Sequence, residues 1–154
     1  MPNEEFDLHV ELDLANDSRN KLALFEEIVK KLSFRTGVKP EKIMEAMKIR
    51  EAMSTTGFGN GLAIPHGEVE DLDSAHLFFF RLLHPVEWDS MDDDPAHQIF
   101  VILVPKEGDS TIHLKLLSRL AYNLMDKEYQ RQINEVQDKE KMRELIMEMT
   151  KLAE

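Results

Sequence analysis

The sequence predicts an α/β domain, a β-sheet flanked by α-helices, and three observations carry that prediction. Leu8, Val10, Leu12 and Leu14 alternate with His9, Glu11 and Asp13, the period of a half-buried strand. Two apolar runs, Leu77 to Leu83 and Ile99 to Val104, do not alternate, as expected of strands covered on both faces. The remaining apolar residues recur at helical spacing.

Taken in order, the first strand is followed by Asp17 or Ser18 as a helix cap. Leu22, Phe25, Ile28, Val29 and Leu32 form one apolar helix face, and Gly37 supplies the stop. Pro40 suits the first turn of a second helix that turns Ile43, Met44 and Met47 inward and ends near Met53. After the two apolar strands, Asp109-Ser110-Thr111 reads as the cap of a helix carrying Ile112, Leu116, Leu120 and Leu124. Two further helices are expected at about 126–136 and 138–152. With neither linker nor repeat, residues 1–154 read as a single domain.

Composition excludes several functions. A net charge of −11 argues against nucleic acid, which clustered Lys and Arg bind. No apolar run approaches a membrane span, and the acidic N-terminus lacks the features of a signal peptide. No direct membrane insertion is therefore expected, and a cytoplasmic location is the simplest reading. The chain has no cysteine, so disulfides, thiolate nucleophiles and cysteine metal sites are out. The acidic run Glu87 to Asp94 reads as a solvated loop.

The chemistry concentrates in TGFGNGLAIPHG, residues 56–67, which holds four of the six glycines around His66. Such a loop either brings an anionic group against main-chain N–H groups or makes a tight turn. It matches neither the nucleotide-triphosphate loop nor the dinucleotide fingerprint, and no lysine follows it. The six histidines contain no HExxH and no close ligand pair, so a metal-dependent hydrolase would need ligands converging from distant segments. A serine nucleophile lacks its G-x-S-x-G elbow. Histidine as nucleophile remains: neutral imidazole is abundant near pH 7 and can accept a phosphoryl group. Arg50, at the end of the second helix, offers a fork suited to phosphate, and His113 falls in the first turn of a later helix, where anions are favoured. Each also has an ordinary reading: a turn histidine, a half-buried polar residue, and an arginine complementing a helix dipole. His9, His76, His84 and His97 read as surface or packing residues.

Arg50-Glu51 followed by Thr55-Thr56-Gly57-Phe58-Gly59-Asn60-Gly61-Leu62-Ala63-Ile64-Pro65-His66-Gly67 resembles the signature of the fructose/mannitol-type enzyme IIA family of the bacterial phosphoenolpyruvate-dependent sugar phosphotransferase system. Pro85-Val86-Glu87-Trp88, the strand Ile99 to Pro105, and His113-Leu114 with Leu117 and Leu120-Ala121 extend the resemblance over residues 5–150. It implies a mixed β-sheet between helices and a transferase role without cofactor or metal. His66 would be phosphorylated, His113 would stabilise the phosphoryl group, and Arg50 would be the cationic partner. Thr56, Gly59, Gly61 and Gly67 would line the phosphate site. Phosphate would come from phospho-HPr and pass to a cysteine of a IIB component coupled to a membrane IIC. Since this chain has no cysteine, that IIB would be a separate polypeptide. Nitrogen-related members imply the alternative, a regulatory protein whose phosphorylation at His66 switches partners. Two departures stand out: Thr55 replaces the commoner serine, and Glu68 stands where many members carry a basic residue.

Overall fold

The two unbroken apolar runs form the centre of the sheet, and the shorter segments take its edges. The computed structural model describes residues 6–108 and 111–151, without the side chain of Ile112. In chain order the elements are β1 (Phe6–Leu14), α1 (Lys21–Thr36), α2 (Pro40–Met53), β2 (Gly57–Gly59), β3 (Leu62–Ala63) and β4 (His66–Val69). They continue with β5 (Ala75–Val86), β6 (Ala96–Pro105), α3 (Thr111–Leu124), α4 (Lys127–Glu135) and α5 (Lys139–Met149). The sheet runs β1-β5-β6-β3-β2, with β4 also paired to β6. It is mixed: β1 is parallel to β5, β5 antiparallel to β6, and β3 and β4 both parallel to β6.

β3 pairs with Gln98 and Ile99, and β4 with Ile102 to Pro105, so the two short strands lie in tandem along one edge of β6. Ile64-Pro65 separates them. Proline has no N–H to give a ladder, but its carbonyl accepts the Ile102 N–H at 3.0 Å and keeps the chain against β6.

Alternate residues of the continuous runs enter two cores. Phe78, Phe80, Ile99, Val101 and Leu103 pack with Leu24, Phe25, Ile28 and Leu32 of α1 and Ile43 and Met47 of α2. Leu77, Phe79, Phe100 and Ile102 pack with Leu116, Leu120 and Leu124 of α3, Ile133 of α4, and Met142, Ile146 and Met149 of α5. Burial on both faces is why these strands need no polar alternation.

Local structure departs from the sequence expectations in instructive places. The cap of α1 is Asn20, whose side chain accepts the Ala23 N–H, rather than Asp17 or Ser18. The backbone N–H groups of those two residues go instead to the Glu27 carboxylate, at 3.0 and 3.4 Å. Gly37 does end α1 in the left-handed region, and Pro40 opens α2. The proposed cap residues Asp109 and Ser110, and the last residues of the final helix beyond 151, lie outside the described residues. The acidic run is only partly solvated: Trp88 and Ser90 are buried, because the indole packs edge-on against Phe25 and donates to Thr56 Oγ1.

Candidate functional site

His66 opens β4 at the sheet edge, paired in register with Ile102. Its two ring nitrogens face partners that leave no choice of tautomer. Nδ1 lies 2.9 Å from the Ile64 carbonyl oxygen, which can only accept, so Nδ1 carries the proton. Arg50 Nε, which can only donate, lies 3.0 Å from Nε2, so Nε2 presents a lone pair. Burial holds the ring below its ordinary pKa, Arg50 adds to that, and the hydrogen bond to Ile64 opposes it. At neutral pH the side chain is therefore neutral, with its basic nitrogen aimed at a guanidinium.

Arg50 reaches this position from the last turn of α2. Its Nη1 also donates to the Ser54 carbonyl at 2.8 Å, so one guanidinium closes the helix C-terminus and binds the histidine. The approach of α2 to β4 depends on Gly67. A β-carbon there would lie 3.0 Å from the carbonyl carbon and oxygen of Ala46, backbone atoms that cannot swing aside.

His66, Arg50, Gly67 and His113 line one cavity of about 370 Å³, with Glu68 and Lys106 as its other charged residues. Its apolar wall comes from α2 (Ala46, Ile49, Met53), β6 (Ile102, Val104) and α3 (Leu114, Leu117). The fold thus brings together three side chains separated in sequence by 16 and 47 positions. A larger cavity of about 800 Å³ lies beyond Lys106 and His113, but Glu70, Asp71, Asp73 and Glu107 line it. So many carboxylates disfavour an anion there, and the smaller cavity is the candidate site.

Thr56, Gly59 and Gly61 are arranged differently from the expectation, and none of them lines this cavity. Residues 57–63 fold into a hairpin, β2 against β3, turned by Asn60 (φ 56°) and Gly61 (φ 82°). Left-handed angles at both central residues are the geometry of an Asn-Gly turn. The space beside Gly59 is taken by the Asp92 carboxylate, which also accepts the Asn60 N–H at 2.8 Å, and that beside Gly61 by the His97 ring. Thr56 is buried, and both its N–H and its hydroxyl donate to Glu51, at 2.8 and 2.6 Å. The tight-turn reading of the glycines is the one the geometry carries. Of the four loop residues expected at phosphate, only Gly67 borders the cavity.

Lys106 was not legible as a site residue. It directly follows β6, and the register of β4 on β6 carries it to the border of both cavities; its Nζ lies 3.8 Å from Glu70 Oε2, which lines the larger one. No cluster of three potential metal ligands occurs among the described residues, and none of their helices is long and apolar enough to cross a membrane.

Fold and site define an α/β protein with a neutral, arginine-bound histidine in a cleft at a sheet edge. Residues 8–149 match the family model for the phosphoenolpyruvate-dependent sugar phosphotransferase system EIIA 2, and the chain belongs to that family. It is 38% identical over 124 residues to a nitrogen regulatory protein of Klebsiella oxytoca, covering 79% of this chain and 76% of that one. It is 33% identical over 106 residues to the fructose-specific EIIA component of Haloferax volcanii, covering 69% and 68%. The crystal structure of the nitrogen regulatory protein IIA-Ntr from Neisseria meningitidis superposes with a TM-score of 0.80 at 31% identity, covering 89% of this chain and 95% of that one.

Proposed function

We propose that this chain is a nitrogen-regulatory type IIA protein that accepts a phosphoryl group on His66 Nε2 and changes its protein contacts when it does. The observation that carries the acceptor role is the pair of hydrogen bonds on the imidazole, which leaves Nε2 unprotonated beside a guanidinium. In the reaction the Nε2 lone pair forms a bond to phosphorus in line with the donor. The donor's phosphorus–nitrogen bond breaks, and its electron pair returns to the donor imidazole of an HPr-type phosphocarrier. Nδ1 keeps its proton, so the positive charge the ring acquires is held by the Ile64 carbonyl. Arg50 turns its N–H groups from the lone pair to the phosphoryl oxygens, and His113 and Lys106 supply further donors across the cavity. Glu68 opposes that charge and tunes the rate. No cofactor or metal is needed.

The regulatory reading is favoured by the identities of 38% and 31% to nitrogen regulatory proteins. A second reading, delivery of phosphate to a cysteine of a separate IIB component that serves a membrane IIC in sugar uptake, draws on the fructose-specific relative. The test is intact mass after incubation with phosphoenolpyruvate, enzyme I and HPr. Wild type should gain one acid-labile phosphoryl group and His66→Ala none; equal labelling of both would overturn the assignment. Phosphorylation-dependent binding of a protein other than IIB then supports regulation, whereas rapid transfer to IIB supports the carrier.

A further inference from the structure

Glu51 touches neither His66 nor the cavity, yet it is the most heavily engaged carboxylate of α2. Its side chain is 8% exposed, and Lys21 Nζ lies 2.9 Å from Oε2. Oε2 also accepts the Thr56 N–H at 2.8 Å, while Oε1 accepts the Thr56 hydroxyl at 2.6 Å. From Thr56 the chain of hydrogen bonds continues. Its carbonyl accepts the Ile64 N–H at 3.0 Å, and the Ile64 carbonyl accepts His66 Nδ1–H at 2.9 Å. Consecutive residues of one helical turn therefore bear on both nitrogens of the imidazole, Arg50 directly at Nε2 and Glu51, by way of the backbones of Thr56 and Ile64, at Nδ1.

We infer that Glu51 is a positioning residue for His66: through the backbones of Thr56 and Ile64 it holds the Ile64 carbonyl against Nδ1–H, and its carboxylate charge favours positive charge on the ring. Within each of Thr56 and Ile64 the N–H and the carbonyl belong to different peptide units joined through Cα, so the chain fixes where the Ile64 carbonyl sits, while the carboxylate's charge reaches the ring through space. The demand on that carbonyl rises when Nε2 bonds to phosphorus or to a proton, because either places positive charge on the ring and strengthens Nδ1–H as a donor. Buried Trp88 Nε1, donating to Thr56 Oγ1 at 3.1 Å, pins the middle of the chain. This inference deepens the function proposed above, but its first test does not depend on it, since protonation of Nε2 probes the same charge as phosphorylation.

The experiment follows the His66 ring nitrogens by NMR through a pH titration of the unphosphorylated protein, for wild type, Glu51→Gln and Lys21→Met. Besides Glu51, whose charge raises the His66 pKa, the charged or titratable groups around the ring, Arg50, Glu68, Lys106 and His113, are unchanged in all three. In Glu51→Gln the His66 pKa should fall below the wild-type value, with the Nδ1–H tautomer retained. In Lys21→Met, which leaves the carboxylate less neutralised, it should rise, although loss of the ion pair lowers thermal stability. Phosphoryl acceptance by Glu51→Gln should drop severalfold. A loosened loop would instead expose the ring and move its pKa up toward 6.5 in Glu51→Gln. That result, or a titration unmoved in Lys21→Met, would overturn the inference. If wild type took no phosphate while the titrations shifted as stated, the positioning role of Glu51 would stand and the proposed function would fall.

Discussion

At the scale of single residues, the site rests on Arg50 doing two things at once. Its Nε binds His66 Nε2 and its Nη1 binds the Ser54 carbonyl, 3.0 and 2.8 Å away. Lysine can supply the charge but not two divergent N–H groups from one plane. Arg50→Ala should slow phosphoryl acceptance about 100-fold, as loss of a preorganised donor does elsewhere, and Arg50→Lys should recover only part of it. Because the guanidinium helps depress the His66 pKa, Arg50→Ala should also raise that pKa, whereas burial, the larger cause, stays in place. Single-turnover labelling and a histidine titration read the two effects separately. An unchanged rate in Arg50→Ala would remove the arginine from the reaction. At this scale much was readable in the sequence: His66, His113 and Arg50 do border one cavity. Thr56 was not readable, because a hydroxyl in a glycine-rich loop carries no mark of its partner, and Glu51 turns out to occupy both of its donors.

At the scale of elements, the glycines split into two jobs. Gly61 makes the β2–β3 turn, and Gly67 lets β4 approach α2. Gly61→Ala combines a left-handed φ of 82° with a β-carbon 2.7 Å from the His97 ring. It should cost about 1–3 kcal/mol in urea unfolding while leaving the Arg50–His66 pair in place. Gly67→Ala meets the Ala46 backbone instead, so it should push α2 away, lengthen the Arg50–His66 contact and lower phosphoryl acceptance more than stability. If the two variants lose activity and stability in the same proportion, the separation of roles is wrong. Sequence periodicity found the strands and helices because burial on one or both faces writes itself into spacing. It could not find that β3 and β4 share one edge of β6, since strand order depends on long-range pairing that no local pattern encodes. Lys106 was hidden for the same reason, and the cap of α1 because Glu27, nine and ten residues away, took the N–H groups of Ser18 and Asp17.

At the scale of the whole molecule, His9, His66, His76 and His97 sit toward both ends of the sheet, and these four titrate low. His9 of β1 and His76 of β5 share a hydrogen bond at 3.2 Å, with Asp7, Arg35 and Arg143 around them. Burial, then the neighbouring His76, brings His9 down to about 4. Burial likewise lowers His76, His66 and His97, the last with help from Arg81. Each of these groups binds a proton more readily in the unfolded chain, so the unfolded state carries more protons below pH 6.5 and stability rises with pH. The histidine contribution is fully present above about 6.5 and is lost as pH falls toward 4. The rings are partly solvated, which screens the effect, and a loss on the order of 1–3 kcal/mol between pH 7 and 4.5 is expected. Carboxylates held low by hydrogen bonds, such as Asp92 and Glu27, add a loss of the same sign at lower pH. Urea unfolding at pH 7.5, 6 and 5 should therefore give steadily lower midpoints. His9→Gln should flatten the slope, because it removes the group that titrates lowest and the like charge that its neighbour would face on protonation. A midpoint that stays level down to pH 5 would mean that these rings open to water before they charge, and that the two cores do not hold them shut.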